Sequence, residues 1–278
     1  MRIAIAGFRG RLGSWLFESG GPDIFALDVD CADPHAVGEC IQESKPDVII
    51  NCVSWTKVNE AEDPANREAV IRANVRAPGV LRRAFGGYLI QLSSGFVFPG
   101  TPLPRVIEYN ENAKTNPVNF YGFSKLGGEA AARLGNGPTL AVRTLDLFGP
   151  VAIPGKEDFV QGVVRILRSG QPFPTRPFYM RQPTYIPELA RVLLGIARCQ
   201  NPITGILHLA GWPATDARHW AEAVADAYGL PKDGICGGYE PKVPRPFGAV
   251  LNVSKAKHLG INMMFPTDAL NIMARGQQ

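Results

Sequence analysis

The residues best suited to chemistry in this chain are a tyrosine and a lysine four positions apart, in the run Tyr121-Gly122-Phe123-Ser124-Lys125. On a helix that spacing puts both side chains on one face. A free phenol has a pKa of about 10, so a neighbouring ammonium is what would bring its proton transfer toward neutral pH. Lys125 is the expected source of that charge, and it could also hold a ribose. Upstream, Leu92-Ser93-Ser94 ends an apolar run with hydroxyls, and Ser94 could orient a carbonyl. Near the start, Gly7-Phe8-Arg9-Gly10-Arg11-Leu12-Gly13 follows one apolar run and leads into the apolar helix face of Leu12, Trp15 and Leu16. Small residues at such a turn allow a tight bend, close approach of the backbone to a pyrophosphate, and close helix packing. Each signal alone is common. In this chain order they point to carbonyl reduction by a nicotinamide dinucleotide.

The form of the dinucleotide stays open at this level. Asp28 ends the second apolar run, about twenty residues beyond the first glycine, where a carboxylate could bond an adenosine ribose and favour NADH. Arg9 and Arg11 could instead neutralise a 2′-phosphate and favour NADPH.

The elements that must position these groups are legible from periodicity. Arg2 to Ala6, Ile24 to Asp28, Asp47 to Cys52, Tyr88 to Leu92 and Leu140 to Arg143 read as buried strands. Helical patterns cover Pro34 to Ser44 and Glu68 to Phe85 between them. Alternating strands and helices predict an α/β fold of the Rossmann type, a doubly wound parallel sheet. We assign 1–150 to the dinucleotide-binding domain, with later segments returning to it, and 151–278 mainly to a smaller substrate-binding domain. There, helices are expected at Asp158 to Arg168, Pro187 to Cys199 and Thr215 to Tyr228, with a strand at Ile206 to Ala210.

The bulk properties narrow the class. Hydrophobic residues make up 45% and charged residues 19%, which suits a folded globular protein. The net charge of +4 is dispersed, so nucleic-acid binding is not expected. No apolar run approaches membrane-spanning length, and the five cysteines have neither metal-type nor disulfide-framework spacing. The expectation is a cytoplasmic protein without a bound metal, and a homodimer is left open.

The residues also resemble the extended short-chain dehydrogenase/reductases, and within them the dTDP-4-dehydrorhamnose reductase branch. Pro46-Asp47-Val48-Ile49-Ile50-Asn51, followed by Thr56, Val58 and Glu60-Ala61-Glu62, is similar to one of its motifs. Ser93-Ser94-Gly95-Phe96-Val97-Phe98-Pro99-Gly100 is similar to its Ser-Thr-Asp-Tyr-Val-Phe-x-Gly motif. Asn74, Arg143-Thr144, Pro183-Thr184 and Arg245-Pro246 also match. The resemblance implies catalysis by Ser94, Tyr121 and Lys125, and a nucleotide-sugar substrate. Gly7, Arg9, Gly10, Arg11, Leu12, Gly13, Asp28, Asn51, Cys52, Val53, Ser93, Tyr121 and Lys125 are then the expected cofactor contacts. Trp55, Ser94, Gly95, Phe96, Tyr121 and Arg245 are the expected substrate contacts, with Arg245 on a diphosphate. Three departures fall on the substrate side: Gly95 stands for an aspartate, Leu145-Asp146 for a Ser-Trp pair, and an Asp-Gln-x-Gly pattern is missing before Pro183.

His35, His208 and His219 lack any nucleophile-base-orienter spacing and are read as packing or surface groups, as are Trp15, Trp212 and Trp220. The main reading is an NAD(P)H-dependent 4-keto reductase of a nucleotide-activated deoxysugar. Its rivals are a nucleotide-sugar epimerase or dehydratase that retains NAD, and a non-catalytic NADP-binding regulatory subunit, known in a methionine adenosyltransferase partner of this branch.

Overall fold

The structure, a computed structural model, describes residues 1–101, 105–150, 153, 156–176 and 179–276. Among them, β1 (Ile3–Ala6), β2 (Ile24–Leu27), β3 (Val48–Asn51), β4 (Tyr88–Ser94), β5 (Thr139–Thr144) and β6 (Gly205–His208) form a parallel sheet. Its spatial order is β6-β5-β4-β3-β1-β2. The order reverses beside β1, which places a crevice at the carboxyl ends of β1 and β3.

Strand side chains alternate between two cores. Ile3, Ile5, Val48, Ile50, Ile90 and Leu92 pack with Leu12 and Leu16 of α1 (Arg11–Ser19) and with Leu189 and Leu193 of Ile186–Ala197. Ala4, Ala6, Ile49 and Leu89 pack on the other face with Val37 of α2 (Pro34–Ser44), Val80 and Leu81 of α3 (Ala77–Ala84) and Ala132 of α4 (Phe120–Arg133). Burial on both faces explains why the strands read as continuous apolar runs. A separate core joins Val160, Val163 and Leu167 of α5 (Phe159–Arg168) to Trp220 and Val224 of Ala217–Ala227 and to Leu270 and Met273. No helix of the described residues is long and apolar enough to cross a membrane.

The long helix expected over Glu68 to Phe85 runs without interruption from Arg67 to Ala84, as Arg67–Ile71, a five-residue π-helical turn Arg72–Arg76, and α3. Pro78 accounts for the π-helical turn, since it has no N–H to offer the carbonyl of Asn74 four residues earlier. That oxygen turns toward α4, where it lies 2.1 Å from the place a Cβ on Gly128 would take. Only glycine admits so close an approach.

His208, at the end of β6, is fully buried, with Nδ1 3.2 Å from the Asn252 carbonyl and its ring edge-on to Phe98. Burial and the Arg143 charge push its pKa from 6.5 down to about 3. Between those values the unfolded chain binds a proton that the fold refuses, so stability falls as pH drops through this window. His208→Asn should therefore show a smaller loss of melting temperature between pH 7 and pH 4.5 than the parent chain; an equal loss would refute the assignment.

Candidate active site

The glycine turn is built by contact as much as by conformation. Gly7 sits at φ 74°, and a Cβ there would lie 2.7 Å from the Val53 amide nitrogen. A Cβ on Gly13 would lie 2.2 Å from the Gly7 carbonyl oxygen, so the first turn of α1 packs directly on the loop. Gly10 caps α1 with extended backbone and no side chain, which leaves the helix N-terminus open to an anion. At the end of β3, Asn51 Nδ2 donates to Gln91 Oε1 at 2.6 Å and Oδ1 accepts from the Val53 amide at 3.0 Å, fixing the strand end beside Gly7.

Asn119 starts α4, its side chain accepting from the Gly122 amide at 2.8 Å, and places Tyr121 and Lys125 on the helix's buried face. One cleft of about 480 Å³ joins Gly10, Leu12 and Gly13 to Ser94, Tyr121 and Lys125. The sequence-predicted reactive groups and the glycine turn are thus brought together. Ser93 and Cys52 also line this cleft, as do Phe96 and Arg245.

Ser94 Oγ accepts from the Phe96 amide at 3.2 Å and lines the cleft beside Tyr121. Burial pushes the phenol up to about 12, and the neighbouring Ser94 hydroxyl and the Arg245 charge pull the other way. Arg245, expected only as a diphosphate contact, thus adds a positive charge near the phenol. Lys125 donates to the Leu92 carbonyl at 2.8 Å and to Ser54 Oγ at 3.2 Å. Burial lowers its pKa to about 8, against the opposing charge of Glu129 one helical turn on. Ser54 is held in turn by Asn74, whose Oδ1 accepts from Ser54 Oγ at 3.0 Å and from the Trp55 amide at 2.8 Å, while Nδ2 donates to Ser124 Oγ at 2.8 Å. Ser93 donates to Glu129 Oε1 at 2.5 Å, and Arg143 binds both Glu129 oxygens at 2.8 Å.

Other expected contacts lie elsewhere. Trp55 donates its indole N–H to the Lys57 carbonyl at 3.0 Å and packs beside Tyr121 without lining the cleft. Arg9 and Asp28 form an exposed two-bond ion pair, at 2.5 and 2.8 Å, outside the cleft lining. Arg11, by contrast, does line the cleft, where it reaches Asp158, the N-cap of α5, and the Gly149 carbonyl at 3.3 Å. Gly95 does not line the cleft: a Cβ there would lie 2.8 Å from the Leu145 side chain, which occupies that space.

The sequence reading missed Tyr179, Arg181 and Tyr239, which also line the cleft. Asp146, flagged only as a departure, has left-handed backbone at φ 48° and pairs with Arg181 at 3.0 Å. Asp tolerates that conformation better than bulkier residues. The missing signal was the arginine itself, since Arg181-Gln182-Pro183-Thr184 falls where the resemblance lacked its pattern.

The parallel sheet, glycine turn and Ser-Tyr-Lys set define the class of extended short-chain dehydrogenase/reductases. Residues 1–273 match the RmlD substrate binding domain, and the chain belongs to that family, the dTDP-4-dehydrorhamnose reductase-like branch of the class. It is 32% identical over 247 residues to methionine adenosyltransferase 2 subunit beta of Xenopus tropicalis, covering 84% of this chain and 71% of that one. It is 28% identical over 240 residues to dTDP-4-dehydrorhamnose reductase of Sinorhizobium fredii (strain NBRC 101917 / NGR234), covering 82% and 78%. The crystal structure of dTDP-4-dehydrorhamnose reductase from Bacillus anthracis str. Ames in complex with NADP superposes with a TM-score of 0.88 over 99% of both chains, at 22% identity.

Gly13→Ala would force α1 off the Gly7 carbonyl. NADPH affinity measured by calorimetry should then fall about tenfold or more, equivalent to about 1.4 kcal/mol; unchanged affinity would show that the turn does not carry the dinucleotide.

Proposed function

We propose that the protein is an NAD(P)H-dependent 4-keto reductase of a nucleotide-activated deoxysugar. The observation that carries this reading is the single cleft that brings Ser94, Tyr121 and Lys125 together with the glycine turn. The residues fit a nicotinamide dinucleotide, because Gly7 and Gly13 let the turn pack on Val53 and α1, and the N-terminus of α1, with no side-chain cap, lines the cleft where a pyrophosphate would sit. Gly7, Gly10, Gly13 and Lys125 would hold it, and when bound it supplies the hydride. Ser94 orients the substrate carbonyl by a hydrogen bond to its oxygen, and Tyr121 gives that oxygen a proton as negative charge develops. Lys125 holds the ribose hydroxyls with its ammonium, and Arg245 contributes positive charge beside the phenol. We place the protein in the cytoplasm, where five cysteines without a disulfide are at home.

A panel of nucleotide 4-keto sugars, assayed by loss of reduced-nicotinamide absorbance with NADH and with NADPH, tests the reading. At least one sugar should be reduced, and Tyr121→Phe should bind NADPH normally while losing about 100-fold or more in turnover. A variant as active as the parent would exclude the role given to the phenol.

Turnover should also depend on the Lys125 charge. It is fully present below about 8 and lost above it, so kcat should decline as pH rises through about 8. Lys125→Arg, whose guanidinium stays charged, should move that decline to higher pH in a pH-rate profile; the same limb in both proteins would assign it to another group.

The similarity to methionine adenosyltransferase 2 subunit beta favours a second reading, a dinucleotide-binding regulatory subunit. Stable co-purification with a larger enzyme, together with no oxidation of either reduced cofactor across the panel, would support it over the reductase.

A further inference from the structure

Lys125 has three N–H donors, and two of them have partners among the described residues. One meets the Leu92 carbonyl at 2.8 Å and another meets Ser54 Oγ at 3.2 Å, in the cleft that also holds the glycine turn. The third is left for a ligand oxygen. A carbonyl can only accept, so the Leu92 bond always favours the ammonium. A hydroxyl can accept or donate, and what Ser54 offers Lys125 depends on where its own hydrogen points.

That hydrogen is directed by groups whose roles are fixed. The Trp55 amide can only donate, and it reaches Asn74 Oδ1 at 2.8 Å, which marks that atom as the accepting end of the side chain. Asn74 Nδ2 lies on the donating side, 3.2 Å from the Trp55 carbonyl and 2.8 Å from Ser124 Oγ, and Ser124 passes its own hydrogen to the Tyr121 carbonyl at 2.7 Å. Asn74 and Ser124 are buried, so this orientation is kept from water. Ser54 Oγ lies 3.0 Å from Asn74 Oδ1 and 3.1 Å from the Trp55 carbonyl, both of them acceptors. Its hydrogen is committed to that side, and its lone pairs are what Lys125 meets.

We propose that Ser54 is a positioning residue for the reaction: its hydroxyl, turned into a standing acceptor by Asn74 and the Trp55 carbonyl, keeps the Lys125 amine charged with one N–H left for the ribose of the dinucleotide. This rests on the dinucleotide-binding part of the reading above and not on the identity of the sugar. An alanine at position 54 would remove the acceptor and little else. The neutral amine would then gain on the ammonium, because a bond accepted from a cation stabilises its charged form. The surroundings leave the effect readable near pH 8. Burial holds the Cys52 thiol, after β3, and the Tyr121 phenol, on α4, up at about 12, so neither changes charge between about pH 7 and about pH 9. Glu129, also on α4, is bound through both oxygens by Arg143 of β5, and Ser54→Ala touches neither.

The test titrates the full chain with NADPH by calorimetry at steps from about pH 7 to about pH 9.5, for the parent, Ser54→Ala, Ser54→Cys and Ser54→Thr, beside the pH profile of kcat for any sugar that is reduced. Parental affinity should decline as Lys125 loses its charge. In Ser54→Ala the decline should come about one pH unit lower, with kcat following it. Ser54→Thr, which keeps the hydroxyl, should restore the parental profile, and Ser54→Cys, whose thiol accepts weakly, should fall between them. A decline at the same pH in the parent, Ser54→Ala and Ser54→Cys would overturn the role given to Ser54, as would equal displacement in Ser54→Thr and Ser54→Ala. Failure of every sugar would overturn the reductase reading and leave this measurement standing, since it reads binding. Failure of NADPH to bind the parent would overturn both.

Discussion

An ammonium sealed inside a protein must be met by oxygen atoms, and much of this molecule follows from meeting that demand at Lys125. Lys125 is 4% exposed, and its amine has two direct partners, the Leu92 carbonyl near the end of β4 and the Ser54 hydroxyl after β3. A buried charge without such partners would shed its proton or destabilise the fold. Ser54 is in place because Asn74 holds it, and Asn74 is in place because a π-helical turn redirects its backbone toward α4. Three separate pieces of chain are therefore committed to one side chain. Glu129 adds a carboxylate one turn along α4, itself neutralised by Arg143, so the negative charge beside the amine is anchored to β5.

Much of this was legible in the sequence, for identifiable reasons. Strands buried on both faces read as unbroken apolar runs, and β1 to β5 fall where those runs do, within a residue or two. Pro34 after Asp33 marks the start of α2, because proline at the first turn and a carboxylate cap both act locally. The glycine turn and the Tyr121/Lys125 spacing carry their chemistry in local sequence too. What escaped depends on distance along the chain. The π-helical turn inside the Glu68 to Phe85 segment sets the Asn74 carbonyl against Gly128, more than fifty residues further along the chain. The pairing of Arg181 with Asp146 joins residues with no common pattern, and so does that of Arg11 with Asp158.

The departures from the family pattern also become intelligible in three dimensions, because they come as complementary pairs. Gly95 has no side chain where its family has an aspartate, and Leu145 fills the space that results. Asp146 introduces a carboxylate where the family has an aromatic ring, and Arg181 answers it with a guanidinium. One pair exchanges polar groups for shape and the other exchanges an apolar contact for an ion pair. Each change would leave a clash or an unmet charge if made alone.

The return of the chain to its own sheet at β6 has a consequence for dissection. Residues 145–204 leave from β5 and come back as its neighbour, so they form a loop out of the sheet tied down at both ends. A fragment ending near residue 150 would present the whole hydrogen-bonding rim of β5 to solvent, and would strip from α1 the apolar cover that Ile186–Ala197 provides. Such a piece would tend to pair with copies of itself rather than stand as a small nucleotide-binding module.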